Sequence, residues 1–343
     1  MSTVNTDFRC KRDGCTPEES GDCIDGLPLS DCPNRYVFEP VDEEFVNIDS
    51  SLVKSFEADG IRHHNGEALN TTEADIHLRK HGATVVAFIG YPGAGKTTTA
   101  VMLYELSKRR NLEPFGFAGS YTIRGFQERA HMALLTSGRR IPDTARTTLG
   151  TPVSFLHLRL QKTGGDNESI ELLLSDRSGE DFEQCLNKPA LCETFPEIIR
   201  ANCHVLLIDG EKLVNSDVAS KHISDIKRLV LALNQYGLLS ASGLVQVVLT
   251  KYDLVNQSEH REKALQRFNL IIEEIKKRLY GTVRITEYKL AARPLCSQFN
   301  LGDGLVNLIN DWFPTKQEAE YHLVIPTLTT GTPYDLLINT VRE

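Results

Sequence analysis

The sequence holds no apolar run of the roughly 18 residues that a membrane-spanning helix needs. It has no surplus of positive charge either. Its 38 Lys and Arg stand against 46 Asp and Glu, a formal net charge of -8, which argues against a general nucleic-acid surface. The opening stretch MSTVNTDFRCKRDGC lacks the apolar core of a secretory leader, so a cytoplasmic protein is expected. Disulfides are disfavoured there, so Cys185, Cys192, Cys203 and Cys296 are expected to be free thiols. Neither an internal repeat nor a low-complexity tract is present. What remains is 343 residues, 41% hydrophobic and 24% charged, the composition of a globular protein with room for one large domain plus appendages, or for two domains.

The other four cysteines crowd into residues 1–38. Cys10, Cys15, Cys23 and Cys32 lie in CKRDGCTPEESGDCIDGLPLSDCPN, which is rich in Gly, Pro, Asp and Ser and poor in core residues. Such a head buries little apolar surface and needs a staple if it is to be ordered. Four thiolates suit tetrahedral Zn²⁺, although their gaps are not the paired C-x₂-C knuckles of common zinc modules. A structural zinc site, a thiol-bearing tail without one, and disulfides are the three readings, in that order. Residues 39–82 read as a polar connector ending in a short helix, with Asn70 and Glu73 forming its capping box. Residues 314–343 read as a mostly polar tail.

From residue 83 the pattern alternates strand and helix, which implies a largely parallel sheet covered by helices. The apolar run Val85–Ile89 leads into GYPGAGKTT and then a helical repeat. This is the phosphate-binding P-loop spacing, Gly90-x-x-x-x-Gly95-Lys96-Thr97. Glycines at 90, 93 and 95, with the small Ala94, let the backbone N–H groups close around phosphate. Lys96 neutralises the outer phosphates, and Thr97 can ligate Mg²⁺ where the helix begins, with Thr98 next to it. Further strands are expected at 153–161, 169–176, 203–210, 244–253 and 283–291, the first two as a hairpin. Helices are expected near 215–236 and 258–280, and a last one within GLVNLINDWF.

Two more stretches choose among nucleotides. LLLSDRSGED places Asp176-x-x-Gly179 after an apolar strand, where the aspartate can hold Mg²⁺ through water and the glycine N–H can sense the γ-phosphate. VVLTKYDL places Thr250-Lys251-x-Asp253 after another. An aspartate there accepts from the N1–H and N2–H₂ of guanine and is repelled by the acceptor at adenine N1, while the aliphatic stem of Lys251 packs over the base. A third match is Ala291-Ala292-Arg293, where the backbone N–H of Ala292 reaches guanine O6.

Together these motifs resemble the translation-factor-related (TRAFAC) clade of P-loop GTPases over about residues 83–313. HHNGEALNTTEA, FAGSYTIRGFQERAH, ARTTLGTPVSFLHLRL and the GDCIDGLPLSDCPN head are similar to the bacterial double-GTPase family. That resemblance implies an α/β, Ras-like, mostly parallel sheet flanked by helices, with a small cysteine-rich appendage before it. It also implies GTP and GDP as ligands, Mg²⁺ as cofactor, and a partner protein, which the family associates with a second GTPase and with bacterial conflict or antiviral defence loci.

Departures from the family pattern carry expectations of their own. Tyr91 and Pro92 stand at loop positions that are small in many relatives, implying a stiffer loop and a more crowded γ-phosphate region. Thr250 replaces the commoner asparagine, implying a looser tie to the P-loop. Glu180 follows Gly179 where many small GTPases have a water-orienting glutamine, leaving it as a general base or a solvated switch residue. An insertion near 115–150, containing a helix at roughly 122–137, leads into Arg139, Arg140 and Arg146 and then Thr147, Thr148 and Thr151. Any of those threonines is a candidate for the switch ligand to Mg²⁺. Arg146 is the candidate cis arginine, by likeness to heterotrimeric G-protein alpha subunits. The expected function is a GTP-hydrolysing switch that is slow without its partner. A GTP-binding scaffold and a metabolic P-loop kinase are the alternatives.

Overall fold

The computed structural model describes residues 8–10, 35–37, 64–131, 152–163, 168–239, 243–281 and 283–313. The chain divides into two compact units, Met1–His63 and His64–Glu343. In the first, β1 (Phe8–Cys10) pairs antiparallel with β2 (Arg35–Val37), setting Cys10 opposite Arg35. Cys15, Cys23 and Cys32 lie outside the described residues.

The second unit begins with α1 (Thr71–His81). The Asn70 side chain accepts from the Glu73 N–H at 2.9 Å, and Glu73 accepts from the Asn70 N–H at 2.8 Å. The capping box read from the sequence is therefore present, with two of the helix's unpaired first-turn donors satisfied. There follow β3 (Thr84–Ile89), α2 (Lys96–Lys108), β4 (Phe115–Gly119), α3 (Ile123–His131), β5 (Ser154–Lys162) and β6 (Ser169–Asp176). After them come α4 (Gly179–Asn187), a 3₁₀ turn (Pro189–Thr194), α5 (Pro196–Ile199), β7 (Cys203–Asp209), α6 (Gly210–Val214) and α7 (Ser216–Gln235). The unit closes with β8 (Leu244–Thr250), α8 (Tyr252–Gln257), α9 (Arg261–Arg278), β9 (Arg284–Lys289) and α10 (Leu305–Asn310).

Seven strands make one sheet in the order β4-β5-β6-β3-β7-β8-β9. From β6 rightward every pairing is parallel. On the other side, β5 pairs antiparallel with both β6 and β4, so the hairpin expected at 153–176 is there. β4 was not expected as a strand. It is part of the insertion and adds an edge to the sheet. Its sequence, FGFAG, carries two glycines and alternates weakly, which hides it from a pattern search.

Period-2 alternation sends each central strand's residues to two cores. Ala87, Ile89, Leu206, Ile208, Val247 and Leu249 join one core with Leu229 and Leu233 of α7 and Phe268 and Ile272 of α9. Val86, Phe88, Val205, Leu207 and Val248 join the other with Leu103 and Leu106 of α2, Phe126 of α3 and Leu308 of α10. Full burial of each such side chain contributes roughly 1.5–3 kcal/mol. The chain runs from β3 to one side and returns across it to β7, so the crevice at the carboxyl end of β3 is a topological switch point, where open α/β sheets bind ligands.

Candidate functional site

The P-loop fills that switch point. Gly90 leaves β3 with no space for a side chain, since a Cβ there would lie 2.9 Å from the Leu207 carbonyl oxygen. Gly95 has φ +91° and begins α2 with no side-chain cap. The first-turn N–H groups of a 13-residue helix therefore face the loop without side-chain competition, and no acidic residue stands in that turn. This is an anion site by geometry and by dipole.

Lys96 reaches back across the loop and donates to the Gly90 carbonyl at 2.7 Å. Burial pushes its ammonium down to about 8, against the opposing pull of Asp176 and Glu180. Thr97 Oγ1 donates to Asp176 Oδ1 at 3.0 Å, joining residues 79 apart in sequence. Two hard oxygen donors thus meet beside the phosphate loop, which fits Mg²⁺.

Two residues brace the loop from outside. The Tyr91 ring is buried in the core, and its hydroxyl donates to the Asp225 carbonyl on α7 at 2.7 Å. Its ring therefore turns away from the γ-phosphate region, which corrects the expectation that it crowds that region. Lys212 Nζ donates to the Pro92 carbonyl at 3.2 Å. Gly179 lies against this loop so closely that a Cβ would fall 2.3 Å from Pro92 N.

Beyond Asp176 the chain is pinned. Arg177, buried, pairs with both Asp181 and Glu197 and lies 3.9 Å from the centroid of the Phe195 ring. The Ser178 hydroxyl donates to Glu180, whose carboxylate turns back on its own helix start.

The residues expected to read the base stand just beyond the ends of β8 and β9. The Thr250 hydroxyl donates to the Ile208 carbonyl at 3.1 Å, and its Cβ lies 3.8 Å from where a Gly95 Cβ would be. Its hydroxyl is thus directed to the β7 strand end. Lys251, in a left-handed conformation with φ 52°, places Nζ 2.9 Å from Asp209 and 2.8 Å from Glu211. Burial alone would lower it; the two carboxylates outweigh burial and hold it above its ordinary value. Asp253 is buried and accepts from the Leu295 N–H at 3.0 Å. The Tyr252 N–H donates to the Leu290 carbonyl at 3.1 Å, and the Ala292 carbonyl accepts from Gly302. The four motif stretches therefore follow the carboxyl ends of β6, β3, β8 and β9, with β7 between β3 and β8.

The sequence model of the family described as Double-GTPase 2 matches residues 84–313. The chain belongs to that family.

The chain is similar to a chain of the signal recognition particle receptor SRb-GTP/SRX complex from Chaetomium thermophilum at 16% identity, covering 67% of this chain and 96% of that one, with a TM-score of 0.36. No curated protein matches. As a Double-GTPase 2 member the chain is a GTP-binding switch protein of the GTP-hydrolysing class.

In this Double-GTPase 2 domain the structure adds three residues that motif reading missed. Asp209, at the end of β7, anchors Lys251 and lies 3.7 Å from where a Gly93 Cβ would be; the signal was LLIDG, an acid at a strand end. Arg177 was read only as filler between Asp176 and Gly179. Arg129, on α3, donates to Asp176 Oδ2 at 2.6 Å. Its signal was available, because Thr122, Gly125, Phe126, Arg129 and Ala130 lie at i, i+3, i+4, i+7 and i+8, and Thr122, Gly125, Phe126 and Ala130 are buried. An arginine on the inward stripe of a helix must have a partner. Arg139, Arg140, Arg146, Thr147, Thr148 and Thr151 lie outside the described residues.

His77, His157 and Glu171 are the one group among the described residues with metal-ligand proximity, their ligand atoms lying within 4.8 Å of one another. Protonation argues against a metal there. His157 Nδ1 accepts from the Tyr121 N–H at 2.9 Å, so its hydrogen sits on Nε2, which faces Glu171 at 2.5 Å. Coordination through Nε2 would force that ring to the imidazolate. The group is a neutral-histidine joint between α1 and β5. Cys185, Cys192, Cys203 and Cys296 are free thiols, as expected.

Proposed function

We propose that this chain binds GTP and GDP selectively over adenine nucleotides, hydrolyses GTP slowly alone, and passes its nucleotide state to a partner protein. The observation that carries the reading is the meeting of Thr97 with Asp176 beside the loop holding Lys96. Asp253 stands in the first turn of α8, just beyond the end of β8 of the same sheet. The α2 N–H groups and Lys96 bind the phosphates, with Gly90, Gly93, Ala94, Gly95 and Thr98 shaping the loop around them. Thr97 and Asp176 hold Mg²⁺, which supplies charge neutralisation to the phosphates when bound. Asp253 reads guanine, and Ala292 contributes its backbone N–H. Gly179, the expected γ-phosphate sensor, packs against Pro92, so this contact is the element we expect nucleotide state to change.

Arg146 is proposed as the cis arginine and Glu180 as the group facing the attacking water. Slow hydrolysis follows if Glu180 remains on Ser178 until a partner docks. By family, that partner is a second GTPase in a bacterial conflict or defence system, in the cytoplasm. The head is proposed to hold one structural Zn²⁺ through Cys10, Cys15, Cys23 and Cys32; β1 and β2 support this by bracketing the other three cysteines in sequence. The test is direct: affinities for GTP, GDP and ATP, each with and without Mg²⁺, followed by phosphate release. Equal affinity for GTP and ATP would sink the guanine reading. Tight GTP binding with no phosphate release under any condition would leave a scaffold.

A further inference from the structure

Two of the contacts that Asp176 makes have different futures. Thr97 donates to Oδ1 and Arg129 to Oδ2, at 3.0 and 2.6 Å. A hydroxyl can keep donating its hydrogen to the carboxylate while offering a lone pair to a metal. A guanidinium has five donors, no lone pair and no accessible neutral form. The Thr97 contact therefore survives arrival of a divalent cation at this carboxylate, and the Arg129 contact opposes it.

Both partners in the ion pair are well shielded. The Asp176 side chain is 3% exposed and that of Arg129 16%, so solvent screens their interaction little. The arginine is also aimed. Its Nη1 donates to the Gly125 carbonyl at 3.0 Å, one turn back on its own helix, and Nη2 donates to Ser154 Oγ at 2.8 Å. Three donors on three acceptors fix the fork, and only one of the acceptors is charged.

We propose that Arg129 and Mg²⁺ compete for Asp176, so that metal-loaded nucleotide releases α3 from the site and metal loss draws it back. α3 belongs to the insertion, and its C-terminal end leads into residues 132–151, which hold the arginines and threonines singled out by sequence. Metal occupancy is thereby converted into a change of contact at the root of the insertion. The proposal rests on the GTP reading above, because it needs a nucleotide-bound divalent cation beside Thr97.

The experiment measures release of a fluorescent GDP analogue from the full chain while free Mg²⁺ is titrated with a chelator buffer. Removing a charge that opposes the cation should move the Mg²⁺ midpoint for nucleotide retention down by at least about tenfold in Arg129→Gln, by analogy with the one to three units that one adjacent charge shifts an acid. Arg129→Lys keeps the charge and should stay near wild type. Ser154→Ala loosens the fork without removing the charge or touching Asp176, and should lower the midpoint by less; it carries the test if Arg129→Gln does not fold. Hydrogen exchange of residues 123–131 should rise when Mg²⁺ is added to the GDP-bound wild type. An unchanged or raised midpoint in Arg129→Gln and Ser154→Ala, or exchange indifferent to Mg²⁺, would overturn the proposal while nucleotide binding stands. Wild-type protein that retains no guanine nucleotide at any Mg²⁺ concentration would overturn the GTP reading itself.

Discussion

The two sides of β3 serve the site in different ways. On the parallel side the contacts join motif residues to their immediate surroundings: Lys251 to Asp209, Asp253 to Leu295, and the residue after Lys251 to the end of β9. On the antiparallel side the acid of the D-x-x-G motif is held by Arg129 and, through it, by Ser154, neither of which belongs to a motif. On the proposed reading, the parallel side meets the base through residues just beyond its strand ends, whereas the antiparallel side joins Asp176 to a helix of the insertion. The proposed recognition and the proposed transmission occupy opposite sides of one strand.

The largest expected effect breaks the parallel side. Asp253→Asn replaces an acceptor with a donor at the guanine edge, and selectivity for GTP over xanthine triphosphate should fall by about 10⁴-fold, the scale set by a buried site that loses its hydrogen-bond match. Competition binding with both nucleotides measures it. Retained guanine preference would show that the side reads something other than the base.

Next in size is the junction after β6. Glu197→Ala leaves Arg177 buried with only Asp181 as a charged partner, which should cost about 3–5 kcal/mol of stability. Denaturant unfolding gives the value. A loss near zero would mean that water reaches Arg177 and that the segment beyond Asp176 is not pinned.

Lys96→Ala acts at β3 itself, between the two sides. It removes a charge-assisted contact to phosphate, so affinity for GTP and GDP should fall by about 1.5–3 kcal/mol without altering the GTP-over-ATP ratio. A change in that ratio would blur the division between phosphate binding and base reading.

The smallest effect treats both sides alike. Burial lowers His204 of β7 and His222 of α7 to about 4, and burial with His157 and His81 does the same to His77 of α1. Their folded values lie below the ordinary 6.5, so the unfolded chain takes up more protons between the two. Stability should be full above about pH 6.5 and decline as pH falls towards 4. Thermal melts across that window should show the decline, with a shallower slope in His204→Gln. A flat profile would mean that these rings reach water.

Much of the parallel side was legible because its signals are local. A Gly-rich turn between a strand and a helix, or TKYD after VVL, places its chemistry within a few residues of a strand end, and the parallel sheet then brings strand ends together. The capping box at Asn70 and Glu73 and the hairpin of β5 with β6 were legible for the same reason. β4 was not, because its edge pairing is decided by β5 rather than by its own FGFAG. Tyr91 was misread because loop position says nothing about which way a ring turns. Burial against α7 decided that.

The sequence by itself determined the P-loop spacing, the D-x-x-G and TKYD stretches and the order of strands and helices that carries them, since each depends on residues near one another in the chain. Only the tertiary structure decided that Arg129 would meet Asp176, 47 residues away, that Arg177 would be buried between two acids, and that His157 would be locked in one tautomer. The first contact exists because an antiparallel edge folds the insertion's helix over the end of β6, and the other two because separate elements pack against that strand and its neighbour. No chain-local pattern encodes a distance set by the packing of one sheet against one helix.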